Sequence, residues 1–315
     1  MQPLRIRFVT GLASVGLLSL GLPGFAGPAS AGFDLSKHSV PVDQILSGGP
    51  GKDGIPAILK PVFLPASEAA FLRDDDRVLG ISRGGQAKAY PIKILNWHEI
   101  VNDTIGDKPV VVTYCPLCGT GIGFEGVIQG RPHTFGVSGL LYQSDLVMYD
   151  HQTESLWSQI SMDAIAGPMT GTKLTHLYLA HTTWGEWRAE HPATLVLSTK
   201  TGHFRDYDRD PYLGYAQRAE LMFDTTHVDR RYHSKEWVLG VEIEGAFKAY
   251  PFAELKKLKG PLTDHLNGRA LTIRFNPRAQ SAVATDANGK PIPAVMAFWF
   301  AWYAFHPETQ VFKAP

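Results

Sequence analysis

Cys115 and Cys118, in the run Tyr114-Cys115-Pro116-Leu117-Cys118-Gly119, are the only cysteines among 315 residues. Thiol, disulfide or metal chemistry is therefore confined to one place in the chain. A Cys-x-x-Cys pair can offer two thiolates to a single ion, because the short loop lets both sulfurs turn the same way. Cys115 ends a run that predicts a strand, and Gly119 frees the chain to turn behind Cys118. One such pair is half of a four-donor site, so two further ligands are required. His98 is the first choice, near the end of an expected helix and a short return away from the cysteine strand. Met148 is the fourth, at the edge of the polar run Asp150 to Glu154. Glu99, Asp150 and His151 are expected around the ligands, orienting a histidine or setting the charge of the pocket. Two thiolates with imidazole and thioether suit copper, and two thiolates with two imidazoles suit zinc. The expectation is a copper centre serving electron transfer, copper handling or a redox reaction, with zinc as the alternative ion and an exported redox or metal-delivery protein as partner.

Two other fates of the sulfurs stay open. The spacing equals that of thioredoxin-like sites, where a following helix makes the first sulfur a thiolate. Here Gly119-Thr120-Gly121-Ile122-Gly123-Phe124 reads as turn and strand, so that cause is missing. An inert disulfide in a non-catalytic protein is the third reading. Elsewhere the signals are weaker. Gly136-Val137-Ser138-Gly139 lacks the last glycine of a nucleophile elbow, and the glycines at 119, 121 and 123 make no dinucleotide fingerprint. Asp206, Asp208 and Asp210 lack the glycine and glutamate of an EF-hand and read as a solvated turn. Trp157, Trp184, Trp187, Tyr207 and Tyr212 with Arg205 could line a groove, and Glu99 with Glu154 could pair as acid and base. No catalytic residue is assigned on these grounds.

An internal repeat organises the elements. Val78-Leu79-Gly80-Ile81 followed by Ala87-Lys88-Ala89-Tyr90-Pro91 returns as Val238-Leu239-Gly240-Val241 followed by Phe247-Lys248-Ala249-Tyr250-Pro251. Asp107 to Pro116 echoes Asn267 to Pro277, and a fainter echo links His151 to Thr153 with His306 to Thr309. Each unit predicts a hairpin, around Gly84-Gly85 or Glu244-Gly245. A short amphipathic helix follows, carried by Ile92, Leu95, Trp97 and Ile100 in one unit and Phe252, Leu255 and Leu258 in the other. A buried strand comes next, at Val110 to Tyr114 or Leu271 to Phe275. Phe135 to Val137 and Leu146 to Tyr149 predict strands, and His181 to Arg188 predicts a helix capped by Thr182 or Thr183. Gly202 to Tyr215 predicts a loop, and Ala294 to Phe305 a buried strand pair or helix. The fold class is α+β: a strand-rich mixed fold with a duplicated hairpin, helix and strand unit. The expected division is a signal over 1–31, an extension over 32–73, a first unit with the cysteines and inserted segments over 74–230, and a second, degenerate unit over 231–315.

Met1 to Ala31 carries Arg5 and Arg7, an apolar run from Phe8 to Leu22, and small residues ending Ala29-Ser30-Ala31. That layout predicts an export signal and a periplasmic or secreted protein. Its removal turns a formal charge of 0 into about −2, so no basic footprint for nucleic acid exists. No later run reaches the length of a membrane span. Two cysteines are too few to staple so long a chain, and stability must come from packing.

Several long motifs are more specific. Asn96-Trp97-His98-Glu99-Ile100-Val101-Asn102, Tyr114-Cys115-Pro116-Leu117-Cys118, Phe135 to Leu141, Tyr149-Asp150 with Thr153 to Gln159, and Trp184 with Trp187 occur between Asp53 and Phe275. On these the chain resembles the bacterial and archaeal exported-protein family named domain of unknown function 3179. The resemblance implies export and strengthens the choice of site residues, and supplies no reaction.

Overall fold

A computed structural model of the chain describes residues 31–315, so the export-signal reading falls, but for Ala31, outside the described residues. The apolar alternation around Gly84-Gly85 becomes a hairpin in which Arg77–Arg83 pairs antiparallel with Gln86–Pro91. Both glycines have positive φ, 58° and 78°, which a two-residue turn needs to follow the twist of its strands. Trp237–Ile243 and Ala246–Pro251 repeat this hairpin. Pro91 and Pro251, which have no N–H to leave unpaired, then cap the helices Ile92–His98 and Phe252–Leu255. Antiparallel strands Ile100–Ile105, Lys108–Cys115 and Thr120–Glu125 follow in the first half. Leu262–Leu266, Arg269–Asn276 and Ser281–Thr285 follow in the second. Each hairpin also receives an edge strand, Ala180–Thr183 or Val295–Phe298, that runs directly into a tryptophan-bearing helix, Trp184–Glu190 or Trp299–Phe305. Leu195–Leu197 and Gln310–Val311 join the two hairpins as parallel strands, and Phe63–Pro65 adds an antiparallel edge beyond Leu195–Leu197.

The duplication extends to side chains. Trp187 lies over Gly80 and Trp302 over Gly240, so closely that a Cβ on either glycine would fall 2.4 Å or 2.2 Å from the ring. The indole N–H groups donate to Thr194 and Thr309 at 2.9 and 3.0 Å. Buried Lys88 pairs with Asp103 at 2.8 Å, and Lys248 pairs with Asp264 at 2.7 Å. The counterpart of His306 to Thr309 is therefore His191 to Thr194. The echo with His151 to Thr153 has no structural basis, since His151 lies in the turn after the strand Asp145–Asp150.

Between the third strand of the first half and its edge strand comes an insertion. Phe135–Tyr142, Asp145–Asp150, Leu156–Ser158 and Asp163–Ala166 form an antiparallel meander, joined at one edge by Ile45–Ser47. With it the described residues hold five sheets of three to five strands, a five-bladed β-propeller, and one short two-stranded ribbon. The largest apolar cluster lies where the insertion, the cysteine-bearing sheet and the second half meet, and it contains both cysteines.

Three local expectations change. The helix expected from His181 starts at Trp184, because Ala180–Thr183 is drawn into the first sheet; Thr183 is its cap, accepting from the Glu186 amide at 3.5 Å. Ala294 to Phe305 divides into the strand Val295–Phe298 and the helix Trp299–Phe305. Trp157, Trp184 and Trp187 are buried core rather than a groove lining. No helix among the described residues is long and apolar enough to cross a membrane.

Candidate metal centre

Lys108–Cys115 and Thr120–Glu125 are joined by a tight turn closed by the Cys118 amide donating to the Cys115 carbonyl at 3.2 Å. Gly119 completes it at φ +67°, where an added Cβ would lie 2.7 Å from the Trp237 ring. The Cys118 carbonyl accepts from the Phe298 amide at 2.8 Å. The second half thus clamps the cysteine turn from both the backbone and the side-chain side. In that half the equivalent turn, between Asn276 and Ser281, carries Asn276 and Ala279 where the first has Cys115 and Cys118. One half is chemically equipped and the other is not.

The third member of the site comes from the insertion. Tyr142 pairs with Asp145 across a two-residue turn, Gln143-Ser144, whose residues both have positive φ, 53° and 64°. Such a turn usually takes asparagine and glycine. Here Gln143 is held instead by Gln44 at 2.9 Å and by the Thr226 amide at 2.8 Å. The Cys118 thiol donates to the Ser144 carbonyl at 3.3 Å. Cys115 Sγ, Cys118 Sγ and an Asp145 carboxyl oxygen consequently all lie within 4.8 Å of one another, a cluster able to hold a metal ion.

All three groups are buried, Cys118 and Asp145 at 0% exposure, and both thiols are free. Burial pushes the Cys115 thiol up and the Cys118 thiol well up. It pushes the Asp145 carboxyl to about 7, against the pull of the Ile160 amide and the facing thiols. Oδ2 of Asp145 accepts from Ile160 N at 3.0 Å, and Oδ1 has no hydrogen-bond partner among the described residues. Ser144 Oγ and the Tyr215 hydroxyl are likewise buried without partners among the described residues. A buried polar atom left unpaired costs about 1–3 kcal/mol, so three of them around two thiols are an unusual concentration. Tyr215 and Tyr212 come from the strand-free connection between the halves and pack on the cluster that holds the sulfurs.

The residues expected from sequence fall into three groups. Cys115 and Cys118 converge. His98 does not join them: Nδ1 lies 2.7 Å from the Pro56 carbonyl, and Nε2 lies 2.7 Å from the Tyr207 hydroxyl. A carbonyl only accepts, so Nδ1 carries the proton and Nε2 receives the Tyr207 O–H, which leaves no lone pair for an ion. Burial drops this imidazole to about 4 and keeps it neutral. Met148 is fully buried in the apolar cluster that contains both cysteines. Asp150 accepts from Thr153, from its amide and from Trp157 Nε1 at 2.7–2.9 Å, a turn-holding role. His151 is exposed and bonded to Thr134. Glu99 is buried beside the cysteine strand, where its carbonyl accepts the Tyr114 amide at 2.7 Å. Burial first and then the Asp145 charge push its carboxyl up, and Glu154 pairs instead with Lys52 at the surface.

Asp145 was missed because a lone aspartate in a hairpin carries no spacing signal. The only hint is the pair Gln143-Ser144 standing where a hairpin wants glycine. The family described as "Protein of unknown function (DUF3179)" matches the chain over residues 52–309. No curated protein and no solved structure matches it.

Proposed function

The chain belongs to that family, whose description carries no activity, and from its own donor atoms we propose that it is an exported metal-binding protein whose Cys115, Cys118 and Asp145 hold one divalent ion of the zinc type. The observation that carries this reading is the Asp145 Oδ1 atom, fully buried, without a partner among the described residues and next to two free thiols. An ion would satisfy that oxygen and stabilise both thiolates, which burial otherwise disfavours. Two thiolates and a carboxylate are a borderline-soft set that zinc accepts. Copper(I) prefers an all-soft set. The copper expectation leaned on His98, whose nitrogens are both committed. It keeps one supporting observation, the Met148 thioether buried in the same cluster.

Thiol–disulfide exchange is less well supported, because the attacking sulfur must be an exposed thiolate. Cys115 is 2% exposed, and a strand rather than a helix follows the pair. Export rests on the signal-like layout of Met1 to Ala31.

Elemental analysis of freshly exported protein tests the proposal. About one zinc per chain is expected, with affinity lowered about 100-fold or more in Cys115→Ser and in Asp145→Asn. One copper per chain, lost in Met148→Leu, would replace zinc by copper. A metal-free chain with Cys115 bonded to Cys118 that takes up neither ion after reduction would end the metal reading.

A further inference from the structure

The three donor atoms account for three positions of a tetrahedral ion, and ions that do chemistry keep the fourth position open. On the metal reading just given, we propose that Glu99 faces this open position and accepts the proton of the water or other protic ligand that fills it. Glu99 is 8% exposed, and its carboxylate has no hydrogen bond or ion pair among the described residues. It is bonded through its backbone to Tyr114, the neighbour of Cys115, at 2.7 Å. Its carboxylate is nevertheless not one of the atoms that lie within 4.8 Å of one another. That combination suits a group one ligand away from the ion rather than on it.

Two further observations point the same way. Glu99 ends its helix at φ 57°, ψ −35°, a conformation L residues rarely adopt, and residues held there concentrate where function requires a particular side chain. The internal duplication supplies a comparison. The registers of the strands that follow, Ile105 with Lys108 and Leu266 with Arg269, make Gly260 the counterpart of Glu99. The half that lacks the cysteines thus also lacks this carboxyl, and its Gly260 is not held at positive φ, so the left-handed conformation belongs to Glu99 and not to its counterpart.

The step balances without a redox partner. The O–H bond of the incoming ligand breaks, its electron pair remains on the ligand oxygen, and the proton adds to a Glu99 carboxylate oxygen. Ligands that bring a proton should therefore bind with the help of Glu99, and ligands that arrive as anions should bind against its charge.

Cobalt(II) loaded into the full mature chain makes this measurable through its visible spectrum. With Glu99→Gln, acetohydroxamic acid should bind at least about 10-fold more weakly, and azide about 10-fold more tightly, with cobalt affinity within about 3-fold of the parent; each factor of ten corresponds to ~1.4 kcal/mol. A purely structural glutamate would move both ligands in one direction or neither, and that result would overturn the proposal. Failure of the parent chain to bind cobalt would instead overturn the metal reading on which it rests. Should Glu99→Gln fold poorly, Glu99→Gly, which suits the backbone at this position, provides the same comparison.

Discussion

At the residue scale, Glu99 is where local conformation and side-chain chemistry disagree. A helix ending with positive φ usually takes glycine, and a non-glycine residue held in a sparsely populated region costs about 1–3 kcal/mol. The carboxyl adds an uncompensated burial, which pushes it up to about 8. Against these, glycine gives up roughly 0.5–1 kcal/mol of unfolded-state entropy. Glu99→Gly is thus expected to stabilise the metal-free protein by about 1–2 kcal/mol, read as a higher urea midpoint at unchanged slope. A loss of stability would mean that the fold itself uses the carboxyl. Sequence reading could find Cys115 and Cys118 because their rarity and spacing are local properties. It could place Glu99 nearby because only a short return separates it from the cysteine strand. It could not find Asp145, which reaches the sulfurs through the packing of an inserted sheet. It chose His98 for its chemistry, and could not know that Pro56 and Tyr207 occupy both ring nitrogens.

At the scale of elements, the cysteine turn is shaped by what it packs against. Gly119 is needed twice, for its φ of +67° and for the Trp237 ring against it. Gly240 needs only the second allowance, because the Trp302 ring covers it. Overpacking a tight site costs about 1–3 kcal/mol. Gly119→Ala and Gly240→Ala should both lower the unfolding free energy by amounts of that order. Only Gly119→Ala should also weaken zinc binding, by roughly 10-fold or more, since it alone moves the sulfurs relative to Asp145. Denaturation curves and a competitive chelator titration on the two variants separate the effects. Equal zinc affinity in both would show the turn to be more pliant than its contacts imply. The hairpins were legible because two-residue turns and period-two alternation are written locally, around Gly84-Gly85 and Glu244-Gly245. The start of the helix at Trp184 was not, since His181 to Thr183 belong to a strand only because the first hairpin offers them an edge.

For the whole molecule, the buried titratable groups set how stability follows pH in the metal-free state. Burial lowers His98, His176 and His306 to about 4 and also holds His181 well below its ordinary value. For a base held below its ordinary value near 6.5, the stability it contributes is complete above that value and is lost as pH falls toward the folded one. Asp145 and Glu99 do the opposite. Their values, raised to about 7 and about 8, mean that the folded chain binds protons the unfolded chain has released. Their contribution is complete below about pH 4 and is lost as pH rises through 7 and 8. Between pH 4 and 6.5 four histidines act against two carboxyls, and stability should climb. Above 6.5 the histidines are spent and only the carboxyls still titrate, so stability should decline toward pH 8. An ion bound by two thiolates and Asp145 reverses that decline, because its binding strengthens as its ligands lose protons. Melting temperatures at pH 5, 6.5 and 8, with chelator and with zinc, should peak near 6.5 without metal and keep rising with it. A metal-free chain as stable at pH 8 as at 6.5 would mean that Asp145 and Glu99 are solvated in solution, and that the carboxyl side of the centre is more open than its burial implies.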